Sequence, residues 1–398
     1  MDMRLKTSKW FGRRSRPFIV LLFLLCLVVA HLFGLFTHPF EIDFHSNFSY
    51  PLDLDQFRDV VEVLKARHFD HDLDLNPTLL QSIPKPINEY NYRFIVKNEK
   101  KCSKSGSIDE PIHDKTSGSN VSQVRQSDDI TLLIVVKSAL ENMDSRNAIR
   151  KSWGFEKRFS DVTIKRVFIL GNCVDRSDVQ NCQDIVDDEM NVHKDIVQAD
   201  FVDSYYNNTI KTMMAFKWCV TYCSGAQFIL FVDDDYYISI KNLLKYLRNP
   251  FKSLSTTDSN SIQVDTNTRF DGRLYSGYLF PQSSPLRHKT SKWFVTLEEY
   301  PYSLYPPYIT AGAFVLSNTS LIDMYFASFY TKHFRFDDIY VGILAKKLSI
   351  IPKHNPNFHF WTLSYSAVTF EEVIASHGFR DSNKLLISWS QQKSLGFA

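Results

Sequence analysis

The chain has 398 residues, of which 44% are hydrophobic and 14% aromatic, enough for one large domain or two small ones. Its net charge is +2, but the first 17 residues carry six basic side chains and one acidic, a net of +5, which leaves −3 for the rest. The rest therefore has no basic surplus, which excludes nucleic acid as a partner. Six cysteines agree with an oxidising compartment but do not make a disulfide scaffold.

The N-terminal region predicts a membrane anchor. Residues 18–36 are apolar apart from His31 and would span about 28 Å as a helix. Because no small-x-small cleavage site follows, a signal anchor is favoured over a removed signal peptide. The positive-inside rule then predicts a cytoplasmic tail over residues 1–17 and a type II topology, with everything after the anchor luminal or extracellular.

Residues 37–128 have the composition of a luminal stem, rich in proline and polar residues, with a short helix predicted over 56–68. Cys173 and Cys182 could close a short loop, whereas Cys219 and Cys223 have poor disulfide spacing on a helix, so the pairing stays open. Four Asn-x-Ser/Thr acceptors are coherent with a luminal segment. They are Asn47, Asn120, Asn207 and Asn318.

The catalytic domain is predicted over residues 129–398, where strand and helix patterns alternate. This alternation indicates an α/β layered fold with a mostly parallel sheet. The polar segment 253–268 is predicted to be a surface insertion. Predicted strands cover 131–136, 166–171, 228–232 and the residues before Ser317. One predicted helix is capped by Asp144 or Ser145, and the others cover 209–221, 240–247 and 339–347.

Three adjacent carboxylates, Asp233, Asp234 and Asp235, directly follow a wholly apolar strand. In an extended chain Asp233 and Asp235 would point the same way, about 6.5–7 Å apart, and could hold a hard cation. The alternative is a solvated acidic turn or a helix N-cap. The apolar strand favours the cation, because ligands gather at the carboxyl ends of strands in α/β sheets.

Arg146 and Arg150 lie one helical turn apart, a spacing that suits an anionic nucleotide but also a surface pair with acidic neighbours. Asp337 and Asp338 follow Phe-Arg-Phe, and apolar neighbours raise the basicity of a carboxylate. Asp338 is therefore a candidate general base, while Asp337 is a candidate N-cap for the helix that follows.

Small residues at Ala311, Gly312 and Ala313 would let a ligand approach the backbone closely. Trp293, Tyr302 and Tyr308 could stack on sugar CH groups, although core packing is the simpler explanation for most aromatic side chains. His377 could complete a carboxylate-bound Mn²⁺ site, but a single histidine is more often structural.

Several motifs in order resemble the animal β1,3-galactosyltransferase and β1,3-N-acetylglucosaminyltransferase family, glycosyltransferase family 31, over about residues 130–390. Three of them are most similar to the Brainiac subgroup of invertebrate glycolipid enzymes: Thr310–Ser317, Phe334–Tyr340 and Ile374–Phe379. The motifs that carry the family resemblance are 146–154, 168–171, 195–205, 233–235, 292–301, 305–317 and 337–342.

The resemblance implies a Golgi type II membrane enzyme with a GT-A fold, a Rossmann-like mixed sheet flanked by helices. It implies an inverting transfer from a UDP-sugar with Mn²⁺ as the cofactor. Matched by position, Asp235 and His377 would be the metal ligands and Asp338 the base. The resemblance also implies that the following residues help to bind the nucleotide: Lys137, Ser138, Arg146, Arg150, Asp233 and Asp234.

The subgroup favours transfer of GlcNAc from UDP-GlcNAc to the 3-hydroxyl of a mannose or other hexose in a glycosphingolipid at the Golgi membrane. Transfer of galactose from UDP-Gal to a glycolipid or glycoprotein is the second reading. A membrane-anchored glycan-binding partner without activity would predict a broken metal site, whereas the three aspartates, Asp338 and His377 are all present. A metal-dependent phosphohydrolase would not explain the paired arginines.

Overall fold

The structure is a computed structural model that describes residues 15–48, 54–69, 85–103, 131–173, 179–250 and 272–398. The predicted insertion at 253–268 lies outside these residues. The helices are α1 Ser15–Leu32, α2 Phe44–Asn47, α3 Leu54–Phe69, α4 Met143–Lys151, α5 Val179–His193, α6 Asn208–Tyr222, α7 Ile240–Arg248, α8 Asn318–Ser328, α9 Asp337–Lys347 and α10 Ser382–Ser394. The strands are β1 Phe94–Val96, β2 Leu132–Lys137, β3 Ile164–Asn172, β4 Ile196–Val202, β5 Phe228–Asp233, β6 Tyr236–Ile238, β7 Tyr275–Phe280, β8 Tyr308–Ser317, β9 Lys353–His354, β10 Phe358–Thr362 and β11 Ala375–His377.

The chain divides into two units, one of residues 1–49 and 282–306 and the other of residues 50–281 and 307–398. In the first unit the buried guanidinium of Arg287 pairs with Glu41, Nε to Oε1 at 2.8 Å, and donates to four backbone carbonyls. A parallel bridge joins Ile42 to Tyr302. None of the described helices is long and apolar enough to cross a membrane.

The second unit contains an eight-stranded sheet in the order β1-β4-β3-β2-β5-β8-β7-β9. Strands β4, β3, β2 and β5 are parallel, whereas β8 is antiparallel to both of its neighbours and β1 is antiparallel to β4. The α/β class and the mixed sheet are therefore confirmed. The predicted parallel arrangement holds for the four strands β4, β3, β2 and β5. Because parallel strands end at one edge, Lys137 and Asp233 become direct register partners.

Helices cover both faces of this sheet, which explains why its central strands are apolar at nearly every position. On one face, Ile134 and Leu230 join a buried cluster with side chains from α4, α7 and α10. On the other face, Phe231 packs against Phe216 of α6, with ring centroids 4.9 Å apart. Alternation along β5 thus sends successive side chains to different helical layers.

A second, three-stranded sheet has the order β10-β11-β6. Strand β6 begins just after the acidic triplet, and β11 pairs with it in antiparallel register so that His377 lies opposite Tyr236. This pairing joins residues that are about 140 positions apart in sequence. It places His377 beside the end of β5.

The segment 85–103 is part of the second unit, although the sequence assigns it to the stem. Its strand β1 pairs with β4, and the Trp218 indole on α6 donates to the carbonyl of Lys97 at 2.6 Å. The helix predicted over 56–68 is present as α3. Cys102 forms a disulfide with Cys223 across 121 residues, a pairing that the sequence left open.

The short-loop disulfide between Cys173 and Cys182 is present, and Cys219 remains a buried thiol. The predicted N-cap of α4 is wrong. Asn142 occupies the N-cap position and makes no side-chain cap hydrogen bond, and its side-chain nitrogen donates to Asp234.

Candidate active site

The acidic triplet occupies the end of β5 and the turn into β6. The chain turns at Asp234 and Asp235, so the extended geometry predicted for the Asp-x-Asp pair is not present. Each carboxylate instead has its own environment. Asp233 and Asp235 keep 40% and 28% of their side chains exposed, whereas Asp234 is buried.

Asp235 and His377 form the exposed part of the site. His377 Nε2 lies 3.1 Å from Asp235 Oδ2, and 41% of the histidine side chain is exposed. The amide of Phe379 donates to the Asp235 carbonyl at 2.8 Å, which fixes β11 against the turn. The sequence placed these two residues in one metal site, and the structure brings them together.

A carboxylate oxygen and an imidazole nitrogen facing one another are donors that Mn²⁺ accepts. Among the described residues, no group of three or more His, Cys, Asp or Glu side chains is arranged to hold a metal ion. Asp235 and His377 therefore fit a cation as a pair of protein ligands, and its other positions would belong to water or to a ligand.

Asp234 is held inside the protein by two donors. Its Oδ2 accepts from Ser138 Oγ at 2.6 Å and from Asn142 Nδ2 at 3.0 Å, and burial raises its pKa. Ser138 is 2% exposed. Asp234 and Ser138 thus support the turn, and the part in nucleotide binding that the resemblance implies for them stays a prediction.

Lys137 links the triplet to the start of α9. Its ammonium, 6% exposed, lies 2.8 Å from Asp337 Oδ2 and 3.1 Å from Asp233 Oδ1, and it donates to the Ala311 carbonyl at 3.2 Å. Burial lowers the pKa of Lys137, but the two carboxylates outweigh it and hold the pKa above its usual range. Lys137 is therefore an internal cation, not an exposed ligand for a phosphate.

Burial raises the pKa of Asp233 to about 7, with Lys137 opposing the shift and two neighbouring carboxylates adding to it. Part of the Asp233 side chain remains exposed to solvent. Asp233 therefore connects the buried ion pair of Lys137 and Asp337 to the open side of the site. It can accept a hydrogen bond from a ligand there.

The neighbouring carboxylates Asp337 and Asp338 have opposite environments. Although burial opposes it, the ion pair with Lys137 and a 2.8 Å hydrogen bond from Thr212 hold the pKa of Asp337 below its usual range. Burial, and then the charge of Asp337, raises the pKa of Asp338 to about 7. A pair of carboxylates with divergent pKa values is the arrangement that assigns acid–base roles in enzymes.

The predicted N-cap role of Asp337 is wrong. Phe336 stands at the N-cap of α9, and the Asp337 side chain is directed to Lys137 and Thr212. Asp338 is half-buried, and its Oδ1 accepts from the Ile339 amide at 2.8 Å. That bond orients the carboxylate whose raised pKa was expected from its apolar neighbours.

The side chain of Arg146 is surrounded by protein groups. It is completely buried, and its five N–H groups donate to Glu189, to Ser138 Oγ at 3.0 Å and to the carbonyls of Ala139 and Leu140. The part in nucleotide binding that the resemblance implies for Arg146 stays a prediction. The guanidinium holds the loop after β2, which in turn positions Asp234.

Arg150 is likewise occupied by acidic partners. It forms a bidentate pair with Asp195 at 2.8 Å for both bonds and reaches Glu189 at 2.6 Å. Arg166 also pairs with Asp195. This network joins α4 and α5 to β3 and to the residue before β4, and the part in nucleotide binding that the resemblance implies for Arg150 stays a prediction.

The sequence predicted that a ligand could approach the backbone closely at Gly312. In the structure, the group that lies close to this backbone is the Tyr236 side chain. A Cβ on Gly312 would lie 2.0 Å from Tyr236 Oη, so glycine makes room for this tyrosine ring. Tyr308 stacks on Phe280 at 5.4 Å in the second unit. Trp293, which is exposed, and Tyr302, which is buried, belong to the first unit.

Two predicted glycosylation acceptors have described side chains. Asn207 Nδ2 donates to the Val202 carbonyl at 2.8 Å, and Asn318 Nδ2 donates to that of Ser224 at 2.5 Å. Asn120 and the side chain of Asn47 lie outside the described part of the chain. Glycosylation at all four sites stays a prediction.

The sequence did not single out Asn142, Thr212 or Tyr236. Asn142 precedes α4 and Thr212 lies on α6, and they gain a role only because the fold brings them to Asp234, in the turn after β5, and to Asp337, at the start of α9. Tyr236 directly follows the triplet, so its position was the available signal.

A family model described as galactosyltransferase matches residues 144–356. The chain is 43% identical over 268 residues to "Beta-1,3-galactosyltransferase brn" of Drosophila melanogaster, covering 67% of this chain and 76% of that protein. It is 31% identical to "Lactosylceramide 1,3-N-acetyl-beta-D-glucosaminyltransferase" of Xenopus tropicalis, with coverages of 80% and 74%.

Similarity to human "Beta-1,3-galactosyltransferase 1" is 29% over 293 residues, 74% of this chain and 76% of that protein. Among solved structures, mouse xyloside xylosyltransferase 1 is 10% identical and matches 63% of this chain and 97% of its own, with a TM-score of 0.28, too low to bear on the assignment. The chain therefore belongs to the galactosyltransferase family and is a hexosyltransferase.

Proposed function

We propose that this hexosyltransferase transfers GlcNAc from UDP-GlcNAc to the 3-hydroxyl of a mannose, or another hexose, in a glycosphingolipid, with inversion at the anomeric carbon. One observation carries the proposal: buried Lys137 pairs with Asp233 on one side and with Asp337 on the other. This link holds the acidic triplet beside Asp338, so a donor site and a base lie at one edge of the sheet.

Asp338 is the general base. With a pKa of about 7, it is substantially ionised at neutral pH and basic enough to take a proton from a sugar hydroxyl as the hydroxyl attacks. The Ile339 amide fixes Asp338 Oδ1. Asp337 is less suited to this role, because it is buried and because Lys137 and Thr212 hold its pKa below the usual range.

Asp235 and His377 would hold Mn²⁺, and Asp233 would contact the donor from its exposed edge. When bound, the cation neutralises charge that develops on the UDP leaving group, which is Lewis-acid assistance. The protein orients this pair through β6 and β11, whose antiparallel register places His377 beside the turn. The acceptor oxygen, deprotonated by Asp338, then forms its bond to the anomeric carbon as the bond to UDP breaks.

Aromatic side chains near the start of β8 are suited to hold the acceptor. Tyr308 and Phe280 stack at 5.4 Å, and Phe360 contacts Phe280 at 5.2 Å. Phe360 and Trp361 are 38% and 40% exposed. Exposed aromatic faces stack on sugar CH groups, and α9, which begins at the base, packs Gly342 against Tyr308.

A galactosyl donor is the second candidate. The Drosophila relative is a β1,3-galactosyltransferase by name, which favours galactose, whereas the Xenopus relative is an N-acetylglucosaminyltransferase by name, which favours GlcNAc. Both donors share the same diphosphate and metal requirements, so the site residues apply to either reaction.

We also propose a Golgi type II location with residues 1–17 in the cytosol. The apolar segment 18–36 and the basic residues before it support this topology. The oxidising lumen would also suit the two disulfides.

The test uses the full-length chain purified in mild detergent with Mn²⁺. It is incubated with UDP-GlcNAc, UDP-Gal and other UDP-sugars and with acceptors that include β-mannosides and glycosphingolipids. The linkage and anomeric configuration of each product are determined by NMR. A β1,3 product from UDP-GlcNAc supports the proposal, a β1,3-galactoside moves it to the second candidate, and an α-linked product contradicts inversion.

A further inference from the structure

Tyr236 is the first residue of β6 and lies between two parts of the proposed site. Its ring meets the His377 ring edge-on, with centroids 5.3 Å apart. Its side chain is almost entirely buried, and Asp233 and Asp235 are near enough to add to the effect of burial in raising its pKa. The phenol therefore sits among the metal-site pair and Asp233.

The backbone of β8 is shaped around this ring. A Cβ at Gly312 would lie 2.0 Å from Tyr236 Oη and 2.6 Å from Cζ, so any larger residue would displace the hydroxyl. The next residue, Ala313, pairs with Val232, the residue before Asp233. Gly312 thus places the hydroxyl at the strand ends where the donor is proposed to bind.

The Tyr236 hydroxyl has no hydrogen-bond partner among the described residues. Buried tyrosine hydroxyls usually find one, because leaving a polar group unpaired costs free energy. Here the hydroxyl stays unpaired next to a proposed ligand site, and so a ligand oxygen is the natural partner.

We propose that the Tyr236 hydroxyl donates a hydrogen bond to the hexose ring of the nucleotide-sugar donor and not to its diphosphate. The inference rests on the proposed function. Asp233 and Asp235 repel an anion, and the diphosphate has the cation of Asp235 and His377 for its charge. A neutral hexose hydroxyl or ring oxygen can approach the phenol without that repulsion.

Tyr237 offers a matched control one residue away. It is completely buried and its hydroxyl is also unpaired, but strand alternation turns its ring to the opposite face. There it contacts Phe370 at 5.1 Å and Phe379 at 5.6 Å. Tyr237→Phe removes the same atom as Tyr236→Phe, from the side away from the donor.

The experiment compares the full-length wild type, Tyr236→Phe and Tyr237→Phe in detergent with Mn²⁺. The KM for the UDP-sugar, the inhibition constant of UDP and the KM for the acceptor are measured, and calorimetry gives the affinities for UDP-sugar and UDP without turnover. Removing one neutral hydrogen bond should raise the UDP-sugar KM and Kd about 5- to 10-fold in Tyr236→Phe. UDP inhibition, the acceptor KM and the melting temperature should stay unchanged, and Tyr237→Phe should resemble the wild type.

Several outcomes overturn the assignment. An unchanged UDP-sugar KM in an active Tyr236→Phe variant removes Tyr236 from the donor site while the proposed function stands. Equal weakening of UDP places the contact on the diphosphate, and a raised acceptor KM places it on the acceptor. If the wild type transfers no sugar and binds no UDP-sugar, the proposed function fails and this inference fails with it.

Discussion

Replacing Lys137 with methionine tests whether one buried cation holds the active site together. Methionine keeps the length of the side chain and removes the ammonium that joins Asp337 at 2.8 Å and Asp233 at 3.1 Å. Asp337 is 6% exposed, so its carboxylate would be left buried and unpaired. Asp233 is 40% exposed at its side chain and can be compensated by water.

The expected cost comes mainly from Asp337. Removing one partner of a buried ion pair lowers the free energy of unfolding by about 3–5 kcal/mol. The double variant Lys137→Met, Asp337→Asn should recover part of that loss, because it carries no buried charge at position 337 and its amide oxygen can still accept from Thr212. Lys245→Met, at an exposed position on α7, should change stability by less than about 0.5 kcal/mol.

The pH dependence has a definite sign. In the wild type the lowered pKa of Asp337 makes its contribution present above the ordinary value of 3.8 and lost as pH falls through its folded pKa. The raised pKa of Lys137 makes its contribution present below 10.5 and lost as pH rises through its folded pKa. The ion pair is thus fully present between these values, and without Lys137 the pKa of Asp337 should rise.

Urea denaturation followed by tryptophan fluorescence, at pH 5 and pH 8, measures both effects. The difference in stability between wild type and Lys137→Met should be smaller at pH 5, where the unpaired carboxylate takes up a proton. A variant as stable as the wild type at pH 8, or a loss that is identical at both pH values, would refute the role given to this cation.

Asp338→Asn should lower kcat by about 10²- to 10⁴-fold while UDP-sugar binding by calorimetry is retained; loss of binding with normal turnover would contradict the base role. In the wild type, kcat/KM should fall as pH drops below about 7, because Asp338, whose pKa is raised to about 7, must be ionised to take a proton. A profile that is flat from pH 5 to 8 would argue against this. Asp235→Asn and His377→Ala should each weaken Mn²⁺ binding in a metal titration, and an unchanged titration for either variant returns that residue to a structural role. Cys102→Ser should lower the free energy of unfolding by about 2–5 kcal/mol in chemical denaturation, since its disulfide closes a loop of 121 residues, and an unchanged midpoint would contradict that contribution.

The sequence pattern predicted individual helices and strands well, because each of them depends on the residues within it. The runs 131–136 and 228–232, which were predicted as strands, became buried central strands, and the segment 240–247 became α7, with Ser239 accepting from the Asn242 amide as its cap. Such features depend on local periodicity and burial, which neighbouring residues encode. The α/β class followed from their alternation.

Pattern was a weaker guide to the partners of charged side chains. The spacing of Arg146 and Arg150 suits a nucleotide, yet both guanidinium groups are occupied by Glu189 and Asp195. These acids lie about 40 residues further along the chain, on or near α5 and β4. The local sequence does not distinguish an arginine that binds a phosphate of a ligand from one that is paired with a carboxylate of the protein.

The sequence by itself determined the family, the α/β class and the identity of the acidic triplet and Asp338, because motif order and residue type survive without coordinates. Only the tertiary structure decided that Lys137, against the effect of burial, lowers the pKa of Asp337 and that the pKa of Asp338 is raised. It also decided that the Tyr236 hydroxyl, beside the site, has no partner among the described residues. The physical reason is that pKa values and hydrogen bonds depend on burial and on neighbours a few ångströms away. In this chain those neighbours lie as much as 200 residues apart in sequence.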